Sequence, residues 1–189
     1  GDVRVSLVDA TTPMVFVAAK DLGLTATELP SELDDNQEAK MFLERIRCAG
    51  AVRMGMVKKP ETTGMASPRI AICGAPTSFT SVSGNPVSAA TQDITTRVIS
   101  SGDTHRASPL TSAMCLGAAC KIEGTIPHQL IDNEKVETRI GNPSGVLDVG
   151  AEVVNENGKW KAIHTYSLRT QRRLMEGAVL VPNSPSFGN

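Results

Sequence analysis

Residues 110–122 have apolar or small side chains on every face that a helix would present, and Lys121 is the only charged residue among them. A helix without a polar face is stable only when protein surrounds it. Ser108 and Pro109 predict a capping hydroxyl followed by proline at the first helical position, and Gly124 predicts the end of the helix. The rest of the chain must therefore enclose this helix.

Most of the remaining sequence is typical of β-strands. Alternating or continuous runs of β-branched and apolar residues predict about eight strands. They lie at residues 3–7, 14–18, 69–73, 94–100, 136–140, 146–154, 160–168 and 178–181. Residues 155–158 have the composition of a hairpin turn. A second helix, amphipathic and capped by Ser31, is predicted at residues 31–48.

One wholly apolar helix among many strands favours an α+β fold in which a curved, mixed β-sheet wraps around a central buried helix. The amphipathic helix would then stay at the surface. A doubly wound parallel sheet is excluded because strands and helices do not alternate along the chain.

Composition excludes several classes of function. The 189 residues include 19 Lys+Arg and 20 Asp+Glu, so the net charge of −1 is not that of a nucleic-acid-binding protein. No apolar run approaches the roughly 18 residues of a membrane span. The four cysteines form no C-x-x-C pair and the three histidines are scattered, so we expect no metal site. Because no disulfide framework is visible, we expect a cytoplasmic protein.

The start of the apolar helix is the first candidate site. His105, Arg106 and Ser108 come just before it, and a helix N-terminus presents free backbone N–H groups that favour carboxylates. One interpretation is a carboxylate-binding cradle. The other is an ordinary helix cap beside a solvated His-Arg pair, and the residues alone leave both open.

The second candidate is a loop between two predicted strands. It contains Asn142, Pro143, Ser144 and Gly145, whose tight backbone would expose N–H groups in an anion nest. A plain β-turn is the alternative. Thr12, in a Thr-rich turn between the first two strands, is a weaker third candidate.

The chain contains no convincing acid–base pair. No Ser-His-Asp order, G-x-G-x-x-G motif or metal triad is present. Cys115 and Cys120 lie in the apolar helix and are best interpreted as buried thiols. Proton chemistry by His105 or Cys48 is a remaining alternative. Seven arginines could hold carboxylates, although most are expected at the surface: Arg47, Arg53, Arg97, Arg139, Arg169, Arg172 and Arg173.

Five segments together resemble the C-terminal half of PrpF-type proteins. They are DATTPMVFV, IRCAGAVRMGMV, THRASPLTSAMCLGAACKIEGTI, GNPSGVLDVGAEV and RLMEGAVLVP, and the resemblance runs from residue 3 to residue 182. This family comprises methylaconitate and aconitate isomerases, with methylitaconate isomerase and oxalomesaconate tautomerase as relatives.

The resemblance implies one half of a diaminopimelate epimerase-like fold, which has two pseudo-symmetric domains. Residues 1–182 would be the C-terminal domain and residues 183–189 a flexible tail. The epimerases place a catalytic Cys at the start of this helix, whereas Ala107, Ser108 and Pro109 occupy that place here. The isomerase branch takes its catalytic Cys and Lys from the first domain, so no catalytic residue is expected in this chain. The family usually has His where Asn142 stands; Asn can donate to a carboxylate but does not titrate near neutral pH.

The implied function is the substrate-binding half of a cofactor-independent isomerase. It would move a C=C bond by a 1,3-proton shift in a small unsaturated di- or tricarboxylic acid such as aconitate or methylaconitate. The expected partners are that acid and the missing N-terminal domain, with a homodimer possible and no nucleic acid or membrane. The isolated chain would be inactive. A non-catalytic anion-binding or regulatory domain is the alternative.

Overall fold

A mixed sheet curls around one helix in the computed structural model, which describes residues 2–131, 136–168 and 172–180. The strands are β1 (Val5–Asp9), β2 (Pro13–Ala18), β3 (Arg69–Gly74), β4 (Phe79–Thr80), β5 (Pro86–Val87), β6 (Ile94–Ser100), β7 (Asp103–Thr104), β8 (Glu137–Asn142), β9 (Gly145–Glu156) and β10 (Lys159–Ser167). The main sheet has the order β1-β2-β3-β6-β8-β9-β10, with β7 paired to β6. The β2–β3 and β6–β8 pairs are parallel, and the other pairs are antiparallel. The predicted curved mixed sheet is confirmed.

Four helices pack on this sheet: α1 (Pro30–Asp35), α2 (Gln37–Arg53), α3 (Leu110–Lys121) and α4 (Ile126–Leu130). The central helix is α3, which contacts β8, β9 and β10 along its length, while α2 lies against β2 and β3. No helix in the described part of the chain is both long and apolar enough to cross a lipid bilayer.

Both faces of β2 are buried, which explains its unbroken apolar run. Met14 and Phe16 belong to the core around α3, whereas Val15 and Val17 belong to the core beneath α2. Successive side chains of a strand point to opposite faces, so a strand covered on both sides must be apolar throughout.

Close packing of α3 against β9 depends on a glycine. A Cβ at Gly117 would lie 2.8 Å from Cγ2 of Val149, closer than carbon atoms normally approach. Cys115, Leu116 and Cys120 of the same helix are fully buried. The predicted burial of this helix is therefore confirmed for most of its length, whereas Leu110 and Thr111 at its start are exposed.

The caps of α3 differ from the prediction. The N-cap residue is Pro109, with no side-chain cap, and the hydroxyl of Ser108 makes no hydrogen bond. Ser108 stands one residue too early for its Oγ to reach the first-turn N–H groups. At the other end the helix stops before Ile122, so Gly124 lies in the following turn, where its φ is +83°.

The amphipathic segment is two helices rather than one. Asn36 separates α1 from α2, and its Oδ1 accepts a hydrogen bond of 3.0 Å from the Ala39 backbone N–H. Ser31 is inside α1 and is not its cap; Glu32 accepts from the Leu29 N–H at 2.7 Å instead. A side chain that caps a new helix competes with continuation of the old one.

The predicted strand at 178–181 is wrong for the residues that the structure describes. Residues 178–180 have no regular structure, and Val179 is 89% exposed. An isolated strand has no partner for its backbone groups, and this segment pairs with none of the strands above. Residue 181 and the predicted tail at 183–189 lie outside the described residues.

Candidate functional site

Three segments meet at the N-terminal end of α3. The turn between β1 and β2 reaches the helix where Thr11 Oγ1 donates to the Thr111 carbonyl at 2.6 Å. The loop between β8 and β9 reaches the segment before the helix where Ser144 Oγ donates to the Arg106 carbonyl, also at 2.6 Å. The structure thus brings all three predicted candidate segments together, although they are far apart in sequence.

The loop at residues 142–145 is held by the side chain of Asn142. Its Oδ1 accepts from the backbone N–H of Ser144 at 3.1 Å and of Ser108 at 3.5 Å. Its Nδ2 donates to the Gly145 carbonyl at 3.1 Å. Pro143 is anchored separately, because its carbonyl accepts from the Val82 N–H at 2.8 Å. Asn142 is buried, so its polar groups organise the loop from within.

The hydroxyl of Ser108 is buried and has no hydrogen-bond partner. An unpaired buried hydroxyl costs about 1–3 kcal/mol. The first turn of α3 next to it also lacks a side-chain cap. A polar group bound at this point would satisfy both the hydroxyl and the helix N–H groups.

His105 is a half-buried side chain with one close partner. Its Nε2 lies 2.7 Å from Ser100 Oγ. Burial lowers the pKa of His105, and the nearby Arg69 cation lowers it further. A neutral imidazole is therefore favoured, in which only one ring nitrogen carries a proton.

Arg69 is not among the arginines that the sequence singles out. Its Nη1 donates to Thr111 Oγ1 at 3.0 Å and to Ser112 Oγ at 2.9 Å, which places its charge at the first turn of α3. Only the pairing of strands reveals this position. Ile70 pairs with Ile99, so Arg69 comes level with Ser100, the partner of His105.

Thr12 occupies the same turn as Thr11 and is half-buried. The direct contact to α3 comes from Thr11, which the sequence does not single out. Arg106 is exposed and offers its carbonyl to Ser144 rather than a side-chain contact.

The cysteines are poor candidates for proton transfer in this chain. Burial raises the pKa of Cys115 to about 11 and that of Cys73 to about 12. Cys48, on α2, also has a raised pKa, caused by burial and by the hydrogen bond and negative charge of Glu44. Cys48 lies on α2, which packs on the opposite face of the sheet from α3.

Three other arginines have structural roles. Arg47 is buried, pairs with Glu44 at 2.7 Å and donates to the carbonyls of Gly64 and Pro68. Arg97 is also buried and lies 4.8 Å from the centre of the Phe79 ring. Most of the seven arginines were predicted at the surface, and these two are buried instead, while Arg169 lies outside the described residues. Arg139 forms a two-point ion pair with Asp93.

Two clefts lie beside α2. One of about 510 Å³ is lined by Leu43, Met65 and Ile99 among others, and one of about 850 Å³ includes Cys48. Within residues 2–131, 136–168 and 172–180, no three His, Cys, Asp or Glu side chains are grouped to hold a metal ion.

Comparison with known proteins decides the family. The model of the PrpF protein family matches residues 1–182. The chain belongs to the PrpF family. Its fold agrees with the crystal structure of methylitaconate-delta-isomerase, with a TM-score of 0.79 and 30% sequence identity over 89% of this chain and 47% of that chain.

Two relatives of this PrpF-family chain are named isomerases. The 2-methyl-aconitate isomerase of Shewanella oneidensis is 38% identical over 185 residues, which are 96% of this chain and 47% of the relative. The 3-methylitaconate isomerase of Eubacterium barkeri is 35% identical over 187 residues, or 96% of this chain and 48% of the relative. The chain spans about half the length of the curated relatives that it matches.

Proposed function

We propose that this chain is the C-terminal, substrate-binding half of a cofactor-independent isomerase that shifts a C=C bond in a small unsaturated di- or tricarboxylic acid. The observation that carries the proposal is the meeting of the uncapped α3 N-terminus, Ser108 and the loop at 142–145 in a PrpF-family chain. Aconitate and methylaconitate are the substrates that we favour.

The reaction is a 1,3-proton shift. A base breaks a C–H bond next to the double bond, the electron pair forms the new double bond, and an acid delivers a proton at the far carbon. Charge develops on the neighbouring carboxylate as the proton leaves. Fixed N–H groups of the α3 first turn and of the loop at 142–145 would stabilise that charge without reorganising, as oxyanion-binding sites do.

The acid and base would come from a second domain. Supporting this, the curated relatives are about twice as long as the chain, and the cysteine pKa values given above are all raised. A further support is the exposed apolar segment near the C-terminus, where Leu174 and Met175 are 84% exposed and Leu180 is 94% exposed. Such side chains favour burial against another surface. We also propose that the protein forms a homodimer and is located in the cytoplasm.

The test compares two proteins. The 189-residue chain and the longer protein that contains it are each mixed with cis- or trans-aconitate, and the double bond is followed by ultraviolet absorbance. We expect turnover by the longer protein alone, with the acid still bound by the shorter chain. Rapid turnover by the shorter chain would refute the two-domain proposal. Binding by both proteins without turnover by either would favour the non-catalytic anion-binding alternative.

A further inference from the structure

Arg69 is the first residue of β3, and its side chain lies on the face of the sheet that carries α3. Ala71, two residues further along the strand, belongs to the core around α3, whereas Ile70 belongs to the core beneath α2. Alternation along the strand therefore directs Arg69 toward the helix. Its hydrogen bonds to Thr111 and Ser112 fix the guanidinium beside the first turn.

Only one nitrogen of that guanidinium, Nη1, donates hydrogen bonds to other described residues. Both hydrogen bonds are donated by Nη1, while Nε is buried without a partner. Among the described residues, Nη2 has no hydrogen-bond partner either. The Nε and Nη2 hydrogens form the edge of a guanidinium that binds a carboxylate by two parallel bonds. Protein atoms cover Nε, so Nη2, which is not buried, is the part of this edge that can reach a ligand.

The charge of Arg69 is also unpaired within the described part of the chain, unlike that of Arg47 or Arg139. Arg47 pairs with Glu44 and Arg139 with Asp93, each at 2.7 Å. Arg69 has two neutral hydroxyls instead of a carboxylate. A half-buried cation without an anion carries a desolvation cost that an incoming anion would relieve.

We propose that Arg69 binds one carboxylate of the substrate through its Nη2 group, and that Thr111 and Ser112 hold the guanidinium for this purpose. The inference rests on the proposed function and adds to it a cationic subsite on the β3 side of the α3 start. The loop at 142–145 contacts Arg106 and Ser108 just before the same helix, so it would hold a second carboxylate of the same acid.

The test is a calorimetric titration of the 189-residue chain with propane-1,2,3-tricarboxylate, a saturated triacid that cannot isomerise. Arg69→Gln is expected to weaken binding at least tenfold, because it removes a charge-assisted hydrogen bond to the carboxylate. Arg69→Lys keeps the charge but loses the planar guanidinium that Thr111 and Ser112 orient, so it is expected to weaken binding too, though less. Arg45→Gln, on the exposed side of α2, is the matched control and should bind as the wild type does.

A thermal-unfolding measurement and a second variant distinguish a loss of binding from a loss of folding. Thermal unfolding of each variant shows whether the chain still folds, and Ser112→Ala removes one anchor of the guanidinium without touching its charge. We expect Ser112→Ala to weaken binding by a smaller factor than Arg69→Gln. Wild-type affinity in folded Arg69→Gln and Arg69→Lys would overturn the Arg69 inference and leave the proposed function intact. Absence of binding by the wild-type chain would overturn both.

Discussion

The side-chain oxygen of Asn142 lies 3.5 Å from the backbone nitrogen of Ser108, and this contact ties the end of β8 to the segment that leads into α3. The same oxygen accepts from Ser144, and the amide nitrogen donates to Gly145. One buried side chain thus sets the distance between the loop and the helix start.

Asn142→Ala is expected to lower the free energy of unfolding by about 1–3 kcal/mol, because it leaves buried backbone groups unpaired. It should also weaken triacid binding, because the loop loses its anchor. Denaturant unfolding and calorimetry measure the two effects. Asn142→Asp is the informative comparison. It keeps both acceptor contacts but replaces the donor to the Gly145 carbonyl with a second oxygen and adds a buried negative charge, so both stability and binding should fall. Unchanged binding in both variants would show that the loop is outside the site.

Gly141→Ala is expected to destabilise the chain by about 1–3 kcal/mol, the usual cost of overpacking. The new Cβ would collide with the side chain of Gln92, which is buried and donates to the Thr77 carbonyl at 2.9 Å. Gly64→Ala is the matched control, because Gly64 is exposed and a Cβ added there would meet no atom within 4 Å. We expect that control to stay within about 0.5 kcal/mol of the wild type. Equal unfolding midpoints for the two variants would contradict the packing around Gly141.

The stability of the chain should fall as the pH drops through the ordinary histidine pKa of about 6.5. Because the pKa of His105 is lowered in the folded chain, the unfolded chain binds more protons there, and stability rises with pH. The contribution is thus present above the unfolded pKa and is lost below it. Arg69→Gln removes one cause of the shift, so the pKa of His105 should rise and the pH dependence should flatten.

Proton NMR of the His105 ring, followed from about pH 5 to 8, would measure this pKa in both proteins. Asp103 and Arg106 lie in the same turn and stay unchanged in the comparison. A lower His105 pKa in Arg69→Gln would contradict the placement of the two side chains. In the wild type, a bound anion should raise the pKa, since it offsets the Arg69 charge.

Thiol-specific reagents should modify Cys48 first and the other three cysteines much more slowly. Cys48 is half-buried, whereas Cys73, Cys115 and Cys120 are buried with raised pKa values. Labelling near neutral pH should be slow even at Cys48, because its own pKa is raised. Cys48→Ser should remove the early label detected by mass spectrometry, and denaturant should make all remaining thiols react. Early labelling of Cys115 would show that the helix is less enclosed than the structure indicates.

The burial of α3 was predictable from residues 110–122 because a helix without a polar face is stable only when protein surrounds it. The unbroken run in β2 was equally informative, since both faces of that strand are covered. Helix boundaries were less predictable. Asn36 ends one helix and caps the next through a single local hydrogen bond. Ser108 lies one residue before the N-cap position of α3, which Pro109 occupies.

The amino-acid sequence by itself determined the fold class, the central helix, most strands and the three segments that form the candidate site. It could do so because periodicity and turn composition are local properties of a chain. The role of Arg69 was decided only in three dimensions. Its position depends on the pairing of β2, β3 and β6 and on the placement of α3, which are contacts between residues distant in the sequence. The sequence predicts Asn142 as a residue that binds substrate. In the tertiary structure this side chain is buried, and it holds the loop through hydrogen bonds to backbone groups.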